Sequence, residues 1–455
     1  MRLYHVLRTK QKQYFYSGTT RSEEFRLHQL DKLRNVIKQK ENRILHALKL
    51  DLNKSKEEAF TTEIGFVYAE ITLVENALKE WMSPQKVKTP ASHTGSKSYV
   101  IHEPRGSVLI IAPWNYPFQL AMAPLIGAMA AGNCAVVKPS ELTPHTSAVI
   151  AEIIGETFNE DYIAVVEGAV EASTELLREP FDYIFFTGSV AVGKVVMEAA
   201  AKHLTPHTLE LGGKSPAIVH RDAKLDLAAK RIAWGKFLNA GQTCIAPDYV
   251  LVDETVKDDF LEKLEKHINS LYKKPWKKGQ YPRIVSEKHF DRLVEFLDDG
   301  EVLIGGQYKR DELALSPTVL SGVTWNSNVM QDEIFGPVLP VLTYSSTAEA
   351  QTRIRELPNP LALYVFTEDS EVESQFVEEL SFGGGCVNDT IMHVANPYLP
   401  FGGAGPSGIG AYHGYDSFLT FSHRKGMVKQ TTSFDLPIRY KQGPVTHKLI
   451  RNLMK

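Results

Sequence analysis

Apolar positions recur at helical spacing through residues 22–82. Leu30, Leu33, Val36 and Ile37 share one face, and Ile44, Leu45, Leu48 and Leu50 continue the pattern between polar residues, which predicts a helical N-terminal region. The pattern stops at 84–98, a polar segment holding Pro84, Pro90 and Gly95, and Tyr99–Glu103 then reads as an exposed edge strand or a ribbon. From Arg105 short apolar runs alternate with helical patterns. Val108–Ala112, Ala135–Lys138, Tyr162–Val166 and Tyr183–Thr187 predict strands, with helices near 120–131, 144–157, 171–178 and 191–202. A second set begins near Ala217, with strands at Ala217–Val219, Tyr249–Val252, Val302–Gly305, Val338–Thr343 and Ala362–Phe366 and helices at 226–238, 256–272, 286–298, 347–356 and 370–379. Such alternation implies parallel sheets covered on both faces, and two successive sets predict two α/β sheets facing across a cleft.

Two stretches raise the question of a membrane. Gly106–Val137 carries no charge, but Pro113, Asn115, Pro117, Pro124, Gly132 and Asn133 break any single helix, so it divides into strand, loop, apolar helix and strand. In the tail 441–455, Val445, Leu449, Ile450 and Leu453 share a helical face beside Lys448 and Arg451; a docked C-terminal helix is expected rather than a stable membrane anchor.

Composition narrows the class. The chain has 455 residues, 43% hydrophobic and 23% charged, which excludes a disordered or fibrous protein. Lys+Arg 51 against Asp+Glu 54 leaves a net charge of −3, with no basic excess to neutralise nucleic-acid phosphates. Three cysteines (Cys134, Cys244 and Cys386) make no disulfide framework, no CxxC pair suggests a metal, and the N-terminus lacks a signal-peptide pattern. A cytoplasmic, reducing setting is expected, where a singled-out cysteine can be a reactive thiol.

Several motifs could carry chemistry. Cys244 lies in NAGQTCIAPD, a loop after a predicted helix that can expose a thiolate beside free backbone N–H groups; the alternative is a buried structural cysteine. Glu210 opens ELGGK at the end of a strand-like run and can be a general base if burial raises its pKa; the alternative is a salt bridge to Lys214. Asn115 in PWNYP can donate from its side chain as an oxyanion site requires, or simply sit in a proline-rich turn. KPSE (Lys138–Glu141) closes another strand. FTGSVAVG (Phe186–Gly193) runs from strand through Gly188 and Ser189 into a helix, a ready anion site although its spacing is not GxGxxG. Cys134 reads as core and Cys386 as structural or channel-lining; His102, His207 and His413 are possible partners of a cysteine.

PWNYP, KPSE, FTGS, ELGGK, GQTC, EIFGP (Glu333–Pro337) and PFGG (Pro400–Gly403), in this order along nearly the whole chain, resemble the aldehyde dehydrogenase superfamily. GQTCIAPD, VNDTIMH (Val387–His393) and AYHGYDSFLTFSHRK (Ala411–Lys425) resemble its class 3 branch, which acts on fatty and aromatic aldehydes. The resemblance implies two Rossmann-like domains, one binding NAD (residues 1–83 and 105–210) and one catalytic (211–412). It also implies a small β element (84–104 and 413–440) for bridging and oligomerisation, and a homodimer. It implies Cys244 as nucleophile, Asn115 as oxyanion donor and Glu210 as the base that activates water. For the cofactor it implies Trp114, Lys138, Glu141, Gly188, Ser189, Gly193, Glu333 and Phe335, and no metal. A carboxylate at Glu141 bonds a ribose 2′-OH and repels a 2′-phosphate, so NAD is favoured over NADP, whose use Lys138 still permits. Two other functions can use parts of this set: a cysteine hydrolase pairing Cys244 with a histidine, and an idle binding protein that keeps the fold. KPSE, the Gly188–Ser189 turn and EIFGP speak against the first, and Cys244 with Glu210 against the second.

Overall fold

The computed structural model describes residues 2–272, 281–435, 440 and 443–453. Its strands are β1 Gln85–Val87, β2 Ser96–Pro104, β3 Ser107–Ile111, β4 Cys134–Lys138, β5 Ile163–Val165, β6 Tyr183–Thr187, β7 His207–Glu210, β8 Pro216–Val219 and β9 Tyr249–Asp253. There follow β10 Glu301–Ile304, β11 Tyr308–Lys309, β12 Ala314–Leu315, β13 Thr318–Ser321, β14 Val338–Tyr344, β15 Ala362–Phe366, β16 Gly384–Val387, β17 Gly408–Ile409 and β18 Ser422–Gln430.

Two sheets dominate, as the alternating pattern predicts. The first has the order β5-β4-β3-β6-β7-β17 and is parallel except for β17. The second runs β10-β13-β14-β9-β8-β15-β16, parallel except at β10. Strands β3, β4, β6, β9 and β15 are buried at every position, which is why they read as continuous apolar runs. The helix Gln119–Ala131 is buried on all sides, Pro124 included, which accounts for the uncharged stretch after Gly106. Among the described residues no helix is long and apolar enough to cross a membrane. Pro444–Leu453 is helical as its pattern predicts, with Val445 on it 75% exposed.

Residues 22–82 are helical, as their pattern predicts, and the edge expected at Tyr99–Glu103 is corrected. Residues 22–82 form two long helices, Glu23–Leu52 and Gly65–Met82. Between them Asn53 adopts a left-handed C-cap (φ 56°), Ser55 caps a short turn, and Phe60–Ile64 is a π turn. The strand around Tyr99–Glu103 is not an edge: β2 is the middle strand of β1-β2-β18, and β18 pairs with it from Ser422 to Gln430. That partner is polar and mostly exposed, so no apolar alternation announces it. The N-terminal Arg2–Tyr16 is a further helix, and Gln11 on it donates to Ala135 O at 2.8 Å, tying it to β4.

Register sets up the site. Ile111 pairs with Lys138 on one side and Phe186 on the other, and Thr187 pairs with Glu210. The carboxyl ends of β3, β4, β6 and β7 therefore lie in one row. After β3 the chain adds β4 and β5 on one side, then β6 and β7 on the other, so the order reverses beside β3. Ligands of open α/β sheets bind at such a reversal.

Candidate active site

The turn after β3 carries Trp114 and Asn115; the turn after β6 carries Gly188 and Ser189; Lys138 ends β4 and Glu210 ends β7. Ser189 is the N-cap of the helix Val190–Ala201, its hydroxyl accepting from Val192 N at 3.4 Å. Gly193 serves packing, since a Cβ there would come within 2.7 Å of Leu211. Lys138 is buried and pairs at 2.6 Å with Glu141, whose side chain is 38% exposed.

Glu210 is 2% exposed and neither carboxyl oxygen has a hydrogen-bond partner among the described residues. Burial without compensation raises its pKa well above the carboxylate range. The expected alternative, an ion pair with Lys214, does not form. Lys214 turns to Asp248 at 2.5 Å and donates to the carbonyls of Val329 and Asp332, both at 2.9 Å.

Cys244 is partly exposed, at the end of a strained loop. Asn239, Ala240 and Gly241 are successive left-handed residues (φ 53°, 52° and 71°), a conformation costly for Ala240 and held only because its surroundings over-determine it. Gly241 is obligatory: a Cβ would lie 2.2 Å from Gly336 O. Asn239 N donates to Glu58 Oε1 at 2.9 Å and Asn239 Nδ2 to Asn115 O at 2.9 Å. Asn115, 3% exposed, donates from Nδ2 to Gln242 O at 3.1 Å; its other amide hydrogen has no acceptor among the described residues. The thiol's pKa is raised by burial first, then by Glu333 and Glu210, so both carboxyls lie within electrostatic reach of the sulfur.

Glu333 approaches from the second sheet's side. A Cβ on Gly212 would sit 2.2 Å from its Oε2, which explains one glycine of ELGGK. Burial, then Asp248, pushes its carboxyl up to about 8. Phe335 is left-handed (φ 50°) and its ring lies 5.2 Å from that of Trp114. Arg292 donates to the carbonyls of Glu333 (3.0 Å) and Ile334 (2.6 Å), fixing the EIFGP turn. The arrangement offers a thiol, an amide donor bonded to its loop and an unpaired carboxyl within electrostatic reach of it, with a helix N-terminus on the same row of strand ends as that carboxyl.

Residues outside the site motifs also approach it. Glu58 and Arg292 come from distant segments, and spacing gives no signal for them; Tyr412, close enough to sense Glu210 and Cys244, lies in the signature Ala411–Lys425, where residue type alone does not mark it. Lys236 is fully buried with no partner for Nζ among the described residues, and burial pushes its pKa down to about 8. None of the histidines considered hydrogen-bonds Cys244. His413 is a buried neutral ring stacked 5.2 Å from Phe401, its pKa pushed down to about 3 by burial. His102 packs on Tyr415 and Phe418, and His207 Nδ1 lies 3.3 Å from Thr205 O. Cys134 is core. Cys386 Sγ lies 3.5 Å from His393 Nδ1. Asn388 bonds both backbone groups of Thr367, ordering the strand ends. Among the described residues no cluster could hold a metal ion.

The aldehyde dehydrogenase family model matches residues 11–427. The chain belongs to the aldehyde dehydrogenase family. It is 50% identical over 427 residues to the 4,4'-diaponeurosporen-aldehyde dehydrogenase of Staphylococcus aureus (strain NCTC 8325 / PS 47), covering 93% of each chain. Class 3 relatives follow. Aldehyde dehydrogenase family 3 member A2 of Mus musculus is 46% identical, over 92% of this chain and 87% of the relative. The dimeric NADP-preferring aldehyde dehydrogenase of Mus musculus is 42% identical, over 96% and 97%. A solved structure, the substrate-bound state of Staphylococcus aureus AldH, superposes with a TM-score of 0.98 at 47% identity, covering all of both chains. This aldehyde dehydrogenase is thus an NAD(P)-dependent oxidoreductase with the class 3 relatives its signatures imply.

Proposed function

We propose that the enzyme oxidises a hydrophobic aldehyde, aliphatic of medium to long chain or aromatic, to its carboxylic acid through a thioester on Cys244. The observation that carries this reading is Glu210, a buried carboxyl with no partner among the described residues, within electrostatic reach of the Cys244 thiol. Cys244 Sγ, once deprotonated, attacks the aldehyde carbon. The oxyanion formed takes hydrogen bonds from the free Asn115 Nδ2 hydrogen and the Cys244 N–H, each such donor being worth about 3–4 kcal/mol in the transition state. Bound NAD(P)+ supplies the acceptor for the hydride. Glu210 then takes a proton from water, whose oxygen attacks the thioester carbon, and the thiolate leaves. Trp114, Tyr116 and Phe401 give the site apolar walls, and a relative named for a diaponeurosporen aldehyde agrees with an apolar substrate.

The residues present fit the cofactor. The helix N-terminus at Gly188–Ser189, which the small Gly193 lets sit close on Leu211, suits a pyrophosphate. Lys138 and Glu141 would hold the adenosine ribose, and Glu333, with Phe335 and Trp114 beside it, the nicotinamide ribose. The Glu141 carboxylate can bond a ribose 2′-OH and repels a 2′-phosphate, so NAD is favoured over NADP; its pairing with Lys138 softens that repulsion, and one relative is named NADP-preferring. Glu141→Gln is expected to raise the NADP-to-NAD ratio of kcat/KM; a ratio that does not move assigns cofactor choice elsewhere.

Residues 1–83 with 105–210 serve as the cofactor domain and 211–412 as the catalytic domain. The three-stranded sheet of 84–104 and 413–440 leaves β1 and β18 as free edges within the chain, suited to a homodimer, and a dimeric relative supports this. A cytoplasmic location completes the reading. The test is growth of reduced-nicotinamide fluorescence when enzyme and NAD+ meet a panel of aliphatic and aromatic aldehydes. Turnover confined to short polar aldehydes would overturn the substrate class.

A further inference from the structure

The turn that carries Asn115 hangs on a buried ion pair that the reaction scheme does not use. Lys54 and Glu63 both have side chains 0% exposed and meet at 2.6 Å. Lys54 follows the left-handed cap that ends the helix Glu23–Leu52, and Glu63 sits on the π turn Phe60–Ile64, a kind of distortion frequent at functional sites. Each charge holds one end of the turn. Lys54 Nζ donates to Asn115 O at 2.9 Å and lies 4.1 Å from the centre of the Tyr116 ring. The second oxygen of Glu63 accepts from Phe118 N at 2.9 Å and Gln119 N at 3.2 Å. Those amides open the helix Gln119–Ala131, whose own N-cap, Phe118, offers no side-chain acceptor. Three bonds then join the turn to the loop of Cys244: Asn115 Nδ2 to Gln242 O, the Tyr116 hydroxyl with Thr243 Oγ1 at 2.6 Å, and Asn239 Nδ2 to Asn115 O.

A fully buried ion pair is a poor device for stability alone, because apolar residues of the same volume often do as well. Its placement points instead to geometry. We propose that Lys54 and Glu63 are positioning residues for the oxyanion site: their pair fixes the Asn115 amide relative to the Cys244 sulfur. The inference rests on the role given above to Asn115. Without the pair, the Asn115 carbonyl keeps only Asn239 Nδ2 as a donor, and the turn can relax away from the loop. A misplacement of about 1 Å can cost on the order of 10²-fold in rate.

The test is the double variant Lys54→Met/Glu63→Gln. It removes both charges of the pair together, keeps similar volume and retains an acceptor for the Phe118 and Gln119 amides. Glu58 loses a nearby cation with Lys54 and a nearby carboxylate with Glu63 but keeps the Asn239 N–H, so the variant's unfolding midpoint should stay near the parent's. Its kcat/KM for aldehyde should nonetheless fall about 10²-fold, the scale of one lost oxyanion donor, with KM for NAD+ unchanged. In an Asn115→Ala background the same double change should add little, because both act on one element. A folded double variant with parental kcat/KM, or one whose loss adds in full to that of Asn115→Ala, would overturn the inference. Should the double variant fail to fold, Glu63→Asp decides. It keeps both charges but shortens the reach to the turn, and kcat/KM should drop by roughly 10-fold or more; a parental value overturns the inference. Asn115→Ala with parental rates would instead remove the oxyanion role of Asn115, and the inference with it.

Discussion

Cys244→Ala is expected to abolish aldehyde oxidation while NAD+ still binds. In the proposed scheme the sulfur forms the bond on which every later step depends, and loss of a nucleophile in a well-studied hydrolase costs about 10⁶-fold. The groups suited to the cofactor, Ser189, Lys138, Glu141 and Glu333, stand on other elements, so titration of the variant with NAD+ should give an affinity near the parent's. Cys134→Ala is the control. That thiol is wholly buried in β4 and burial pushes its pKa up to about 12, so its loss should affect stability only. Normal turnover by Cys244→Ala, with Cys134→Ala inactive, would reverse the assignment.

Glu210→Gln is expected to stall the enzyme after hydride transfer. The amide fills the same space but cannot take a proton from water, so the thioester accumulates. Rapid mixing should show about one equivalent of reduced nicotinamide per site, then turnover slower by roughly 10²–10⁴-fold. An unchanged steady-state rate removes Glu210 from the mechanism. In the parent enzyme the same group sets the pH dependence. Burial raises its pKa above the ordinary carboxylate value, and in the proposed scheme the carboxylate is the base. Deacylation should therefore rise with pH through that raised value and be lost as pH falls. A glutamate with the ordinary pKa of about 4.3 would give a flat profile above roughly pH 6.

Much of this site is legible in the sequence because its residues sit where strands end. An apolar run closed by a polar residue or glycine marks Lys138, Gly188 and Glu210, and the parallel register carries them to one edge. Elements without an apolar rhythm are not legible. β18 is polar and exposed, and β16 is half glycine: Gly385 lies so close to β15 that a Cβ would meet Leu363 O at 2.0 Å. Lys54 and Glu63 are hidden for another reason. In a helical, charge-rich stretch a lysine and a glutamate look like solvent-facing residues. Only the fold shows that both are entombed against a turn more than fifty residues further on. The left-handed Ala240 and Phe335 likewise carry no mark in residue type.

The strand that ends in Glu210 is completed late. β17 lies against it, Gly408 opposite Glu210, and Leu211 N donates to Ser407 O at 3.1 Å. Those partners are made nearly 200 residues after the strand they cover. During synthesis the edge of β7 therefore stays bare while the whole second sheet emerges from the ribosome, and closing so long a loop is slow. A nascent chain stopped short of residue 400 has Cys244, Glu210 and Asn115 in place in its sequence but lacks the segment that covers the edge of the strand ending in Glu210. Such a fragment should be a client for chaperones, with an open strand ready to pair with its neighbour.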